Sequence, residues 1–386
     1  MNAWKVTKKI SLSAAFVASV AILLYGCLPL QNTLDENNPL GGGQNGVLGV
    51  TSADGNGIGF AFAGRTRDAS TGDNYTIQVK NSDGSYSDCT FQEGSVVDGS
   101  DYNSLGLLID ESGSMGNAYP PEEYGDICPT CPHDPTRLRA DACEKLIQQV
   151  HSSAPESRIG VMVFGPAPDD GMMATRILHD FSVDTRSLVG SLSAIDGTQM
   201  NGTPLWDSLY ENVGATDEEA VDLEAHLRSR DVVEEDGSEV EVKRVLLVIS
   251  DGDDRDSVNW GLSDVITRAQ EAGVVIHAIG LGPMASATED PALLTRPELA
   301  DEQIQTVQNL QRLAEGTGGF YASVHDASAL TELYSAIAAG LTNGYALETW
   351  ECLPDGREPK AGAVLEGRIV DADGNTIDEW SMVTPD

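Results

Sequence analysis

Leu105-Gly106-Leu107-Leu108-Ile109-Asp110-Glu111-Ser112-Gly113-Ser114-Met115 is the stretch on which the reading of this chain turns. Leu105 to Asp110 is a short, nearly continuous apolar run that ends in a carboxylate, the pattern of a strand buried on both faces. Ile159 to Phe164, Val245 to Ser250 and Val274 to Leu281 share that pattern. Phe320 to Val324 reads as the last strand of the set, and the partly polar Arg176 to Phe181 as an edge strand. Amphipathic helices lie between them. Leu138, Ala142, Leu146 and Val150 form one apolar stripe, with Asp134 expected as N-cap and Pro135 as the first helical residue. Ile304, Val307, Leu310 and Ala314 form a second stripe, and Leu330, Leu333, Tyr334, Ile337 and Leu341 a third. Strands alternating with helices predict an α/β fold with a doubly wound, mostly parallel sheet.

Outside this centre the signals change. Gly57 to Ala63 is a short apolar run, and Tyr75-Thr76-Ile77-Gln78-Val79 alternates with period two before the turn Ser82-Asp83-Gly84. Ala363-Val364-Leu365 and Arg368-Ile369-Val370 precede Asp371-Ala372-Asp373-Gly374-Asn375, read as a hairpin turn. That turn begins like a calcium loop but lacks the downstream bidentate Glu. The expected organisation is a leader over 1–26, a Gly-rich tether over 27–47, a β-rich flank over 48–102, the α/β domain over 103–343, and a β-rich C-terminal region over 344–386. The two flanks are expected to pack together as a β-sandwich. The acidic stretch Ala215 to Ser238 reads as a helical insertion with a solvated face.

The chain has 386 residues, 40% hydrophobic, with 40 Gly and 17 Pro, which excludes a wholly disordered chain, a collagen and a polytopic membrane protein. Lys plus Arg number 23 against 61 Asp plus Glu, a formal charge of −38. So acidic a surface repels phosphate backbones and argues against a nucleic-acid partner, while attracting cations and basic proteins.

Lys5, Lys8 and Lys9 precede the apolar run Ile10 to Leu24, which is short for a membrane span and fits a secretory leader. Leu24-Tyr25-Gly26-Cys27 resembles the bacterial lipobox, which implies cleavage before Cys27, lipidation of its thiol and a membrane anchor at the bacterial cell envelope, in the outer membrane or at the cell surface. Export favours disulfides among Cys89, Cys128, Cys131, Cys143 and Cys352. The expected pairs are Cys89 with Cys352, and Cys128 with Cys131 or Cys143. A zinc site from Cys128, Cys131, His133 and Cys143 is the alternative.

Three segments carry chemistry: Asp110-Glu111-Ser112-Gly113-Ser114, Asn201-Gly202-Thr203-Pro204-Leu205 and Asp251-Gly252-Asp253-Asp254. The first and third follow buried strands directly, and open parallel sheets bind ligands outside the carboxyl ends of their strands. Hydroxyls of Ser112, Ser114 and Thr203 with carboxylates of Asp110 and Asp251, direct or through water, suit a hard divalent cation. So many neutral donors leave the ion net positive, with a position open to an anionic oxygen.

Asp110-x-Ser112-x-Ser114, Thr203 and Asp251 resemble the metal-ion-dependent adhesion site (MIDAS) of von Willebrand factor A (VWA) domains. Leu107 to Met115, Gly202-Thr203-Pro204-Leu205, Val248-Ile249-Ser250-Asp251-Gly252, Val275 to Gly280 and Thr317-Gly318-Gly319-Phe320-Tyr321 resemble the family's strands and loops. The resemblance implies a Rossmann-like sheet, Mg2+ (or Mn2+) as cofactor, and a protein partner offering an acidic side chain. The segment Asn117 to His133 departs from the family pattern as an insertion that would overhang the site. A hydrolase with Glu111 or Asp253 as base, or a scaffold that does not use the metal, are the other readings; GxSxG, P-loop and HExxH motifs are all missing. The histidines are scattered, His277 reading as a core residue, and Trp206 reads as packing.

Overall fold

The computed structural model describes residues 47–52, 57–63, 75–116, 131–165, 174–195, 202–213, 232–233, 239–240, 242–252, 254–285, 297–324 and 327–385. The leader, Cys27 and nearly all of the expected tether lie outside these residues. Five strands precede the centre: β1 (Val47–Ser52), β2 (Gly57–Ala63), β3 (Tyr75–Lys80), β4 (Tyr86–Asp88) and β5 (Thr90–Val97). The centre runs β6 (Asn103–Asp110), α1 (Leu138–Ser153), β7 (Arg158–Phe164), β8 (Thr175–Ser182), α2 (Thr185–Ser191), α3 (Leu205–Val213), the short pair β9 (Val232–Val233) and β10 (Glu239–Val240), and β11 (Lys243–Ser250). It continues through α4 (Leu262–Ala272), β12 (Val274–Leu281), α5 (Pro297–Gly316), β13 (Tyr321–Val324) and α6 (Leu330–Asn343). Then follow β14 (Tyr345–Glu351), β15 (Val364–Asp371) and β16 (Thr376–Val383).

Ten strands make one mixed sheet, in the order β5-β14-β2-β1-β13-β12-β11-β6-β7-β8. β13, β12, β11, β6 and β7 are mutually parallel, and β8 closes one edge antiparallel to β7. Every residue of β6 is buried, because the strand is covered on both sides. Alternate side chains divide between the two faces. Leu105, Leu107 and Ile109 of β6 join Val245, Leu247 and Ile249 of β11 in a core with α1 and α6, built on Leu146, Val150, Tyr334 and Ile337. Leu108, Leu246 and Val248 join the opposite core with α3, α4 and α5, through Leu209, Val265 and Leu310. The apolar runs of the sequence are therefore two interleaved faces of one central layer.

The start of α1 differs from its expectation. Arg137 has φ 64, in the left-handed region, and the helix begins at Leu138, so Pro135 lies in the preceding turn and not at the first helical position. The Asp134 carboxylate still accepts the orphan N–H groups of Leu138 (2.7 Å) and Arg139 (3.0 Å) and holds the buried Arg139 guanidinium at 2.7 Å. Most of the acidic stretch read as a helix lies outside the described residues. What is described within it, Val232–Val233, is a strand paired with Glu239–Val240.

The sheet does not stop at β13. β1 pairs with β13, β2 with β1, β14 with β2 and β5 with β14, all antiparallel. β3, β4, β15 and β16 form a second antiparallel sheet in the order β16-β15-β3-β4. The expectation is a β-sandwich made by the two flanks alone. The difference follows from β2, buried at all positions but its first, which needs cover on both faces. α6 covers one face, where Leu48, Ala61 and Ala63 meet Leu341. The second sheet covers the other, and Phe60 meets Trp380 edge-on at 5.3 Å between ring centroids. Asp371 to Asn375 is the hairpin turn between β15 and β16: the Asp371 carboxylate accepts the backbone N–H of Asp373 and Asn375.

Cys89, between β4 and β5, is disulfide-bonded to Cys352 after β14, across 263 residues of sequence. Cys131 is also disulfide-bonded, its partner lying outside the described residues, while Cys143 is a buried free thiol in α1. That excludes the Cys128–Cys143 alternative and the four-ligand zinc site, since an oxidised sulfur offers no thiolate.

Replacing Cys89 and Cys352 together by Ala is expected to lower the unfolding free energy by about 2–5 kcal/mol, read from urea denaturation without reductant; an unchanged midpoint would show that sheet pairing alone holds the flanks. A second expectation concerns pH. Burial raises the Asp378 carboxyl on β16 from 3.8 to about 6. The unfolded chain releases this proton first, so folding stability falls as pH rises through that window. Asp378→Asn should melt above the wild type beyond pH 6, and the two should converge below 3.8.

Candidate metal centre at the carboxyl ends of the central strands

Parallel pairing sets the site. Ile109 of β6 lies opposite Ile249 of β11, so the next residues, Asp110 and Ser250, leave the sheet together. The Ser250 hydroxyl donates to Asp110 Oδ2 at 2.6 Å and accepts the Gly252 N–H at 2.9 Å. Asp110 Oδ1 accepts the Ser112 N–H at 2.8 Å, which turns the chain back on itself. Within this turn the Ser112 and Ser114 hydroxyls stand 3.0 Å apart, and the Met115 N–H closes onto Ser112 O at 3.1 Å. Asp110, Ser112 and Asp251 are all buried. Burial, and after it the charge of Asp251, push the Asp110 carboxyl up to about 7.

The Thr203 loop is fastened to the loop that follows Asp251. Thr203 N–H donates to Asp256 Oδ2 at 2.8 Å, and its carbonyl accepts the Arg255 N–H at 3.2 Å. Asp254 caps α3 from across the site, accepting the N–H groups of Leu205 (2.8 Å) and Trp206 (3.3 Å). Asp207 reciprocates from inside α3: its carboxylate accepts the N–H groups of Val258, Asn259 and Trp260. Gly202 permits this approach, because a Cβ there would lie 1.9 Å from Asp256 Oδ2.

Two carboxylates close enough to repel one another out of water, beside two hydroxyls within contact, form a donor set that a hard dication would relieve. On that ground the residues fit a divalent ion. Among the described residues no group of three or more His, Cys, Asp and Glu side chains is placed to hold a metal; this set has two carboxylates and relies on hydroxyl oxygens. Sequence reasoning missed Ser250, Asp254 and Asp256 as the groups that orient the loops. His133, read from the sequence as a candidate zinc ligand at the end of an insertion overhanging the site, instead has its Nδ1 3.4 Å from Asp251 Oδ2. Strand register could have placed Ser250; nothing local signals the roles of Asp254 and Asp256.

The remaining candidates fall elsewhere. Glu111 is buried and ion-paired with Arg176 of β8 at 2.6 Å, so its oxygen is engaged by a guanidinium; Asp253 lies outside the described residues. His277 stacks on Phe320 at 4.0 Å and accepts the Phe320 N–H at Nδ1, and burial lowers its pKa to about 3. Trp206 packs in the core.

Comparison with known proteins bears on this arrangement. The model of the von Willebrand factor type A domain matches residues 105–336. No curated protein matches the chain. Among solved structures, an aerotolerance-related membrane protein from Bacteroides fragilis NCTC 9343 is 17% identical, covers 60% of this chain and 97% of its own, and has a TM-score of 0.34. Proximal thread matrix protein 1 from the mussel byssus, with a zinc-occupied MIDAS motif, is 16% identical over 66% of this chain and 49% of its own, at a TM-score of 0.37. The pilus adhesin SpaC from Lactobacillus rhamnosus GG is 10% identical over 91% and 49%, also at 0.37. The chain thus spans about half the length of the last two. Likeness at these TM-scores carries no argument about function.

Gly202→Ala should drive Asp256 from the Thr203 N–H and destabilise the protein by about 1–3 kcal/mol, the range for a buried charge-assisted hydrogen bond. Denaturation midpoints of wild type and variant check this, and equal midpoints would show that the two loops are held by other contacts.

Proposed function

The chain belongs to the von Willebrand factor type A domain family, and on that premise we propose that it is an exported, lipid-anchored protein that binds an acidic group of a protein partner through a divalent metal centre. Domains of this family act mostly as protein-interaction modules. Asp110, Ser112, Ser114, Thr203 and Asp251 would hold the ion, Mg2+ or Mn2+, with Asp251 bound directly or through water. With three of the donors neutral hydroxyls and Asp251 reached through water, a bound dication would keep Asp110 as its one direct anionic ligand and so retain positive charge, for which a partner's Asp or Glu carboxylate is the natural counter-ligand.

The protein's own residues do the rest. Ser250 and the Ser112 N–H fix both oxygens of Asp110. Asp254, Asp256 and Asp207 lock the Thr203 loop to the Asp251 loop. The observation that carries the reading is the Asp110 carboxyl, raised by burial and then by its neighbour Asp251, and set against two hydroxyls. The acidic surface sharpens the need for metal. At −38 the chain repels an acidic partner at long range, so a carboxylate contact needs a local positive charge. Attachment through Cys27 would place this surface at the bacterial cell envelope.

Calorimetric titration with Mg2+ tests the centre: wild type should bind, and Asp110→Ala should lose binding by 100-fold or more, roughly 2.7 kcal/mol. Equal binding by the two would reject the ligand assignment. Capture of envelope proteins on the purified protein should be lost on adding EDTA; capture indifferent to chelator would favour a scaffold using other surfaces.

A further inference from the structure

We propose that His133 is a positioning residue of the metal centre, its buried imidazole lying against the Asp251 carboxylate and holding it in place for the ion. The inference rests on the metal-binding reading above and adds to it a residue from outside the five-residue motif. His133 lies at the end of the long insertion, yet its backbone is built into the site. Its N–H donates to Ser114 O at 3.0 Å, and the next N–H, that of Asp134, donates to Met115 O at 2.9 Å. Asp134 in turn anchors the first turn of α1. The residue is thus fixed from the metal loop on one side and from a helix on the other.

The ring is equally confined. Its side chain is 1% exposed, with Nδ1 3.4 Å from Asp251 Oδ2 and Nε2 3.8 Å from the oxidised Cys131 Sγ. It lies on Gly282, just after β12, where φ is +91 and a Cβ would come within 2.7 Å of the imidazole. Nδ1 therefore lies beside the carboxylate, within ion-pair distance but outside hydrogen-bond geometry, and Nε2 faces the sulfur. We assign the ring proton to Nδ1, where closing a hydrogen bond to the carboxylate would select its orientation and lessen its repulsion with Asp110 before any ion arrives. Partners of this kind, one contact removed from the metal, typically govern affinity by about 10–100-fold.

The test compares the full-length wild type with His133→Leu, which fills the space without an N–H, and His133→Asn, whose amide returns one near the Nδ1 position. Mg2+ affinity is measured by calorimetry, and melting temperature in EDTA reads the fold without metal. The expected result is affinity about 10-fold weaker or more in His133→Leu and largely restored in His133→Asn, although both melt below wild type by similar amounts. Wild-type affinity in His133→Leu would overturn the inference and leave the proposed centre standing. Equal weakening in both variants, tracking their melting temperatures, would reduce His133 to packing and also overturn it. A wild type that does not bind Mg2+ would overturn the centre itself, and the inference with it.

Discussion

A single buried hydrogen bond, from the Ser250 hydroxyl to the Asp110 carboxylate, ties together the two strands that define this molecule. It exists because β6 and β11 run parallel in register, so both reach the edge of the sheet at the same height. Parallel pairing of strands buried on both faces is what makes a rim of polar side chains possible. Everything apolar is spent inside the layer, and the first residues beyond it are Asp, Glu and Ser. With Asp251 nearby, Asp110 is a carboxyl kept out of water whose ionisation both burial and a like charge oppose. Such an arrangement persists only where the surrounding fold enforces it. Here the enforcement comes from two cores, one on each face of the sheet.

The loops around this rim are joined by carboxylates. Asp254 and Asp256 each accept backbone N–H groups from the Thr203 segment, and Asp207 accepts three from the segment after Asp256. Each satisfies donors that a helix start or a turn leaves unpaired. Part of the chain's large acidic excess is therefore structural, engaged with backbone dipoles. The same device recurs at Asp134, which caps α1, and at Asp371, which closes the β15–β16 turn.

The flanks solve a separate problem. Extending the parallel sheet through β1, β2, β14 and β5 creates new apolar surface on both faces, which α6 and the second sheet then cover. Strands from both ends of the chain must meet for this to happen, and loop closure over so long a separation carries a large entropic cost. The Cys89–Cys352 disulfide lies where the second sheet passes into the first, and removes that freedom from the unfolded chain. The flanks are thus continuous with the α/β layer, not a module hung beside it.

The sequence by itself determined the α/β class, the central strands and the three main helices, because hydrophobic periodicity is a local property that a one-dimensional reading captures. Asp110, Ser112 and Ser114 were legible as a group for the same reason: they share one turn. Asp251 joined them in the reading through its place at the carboxyl end of a buried strand, and Thr203 through the order of motifs, because nothing local says that distant loops meet. Only the tertiary structure decided the left-handed Arg137 that delays α1, the growth of the sheet through the flanks, and the fastening of the Thr203 loop by Asp254 and Asp256. It also placed His133 against Asp251. Each of these depends on strand pairing or packing between residues far apart in the chain, and such contacts are chosen by the whole molecule's burial, which no short window of residues contains.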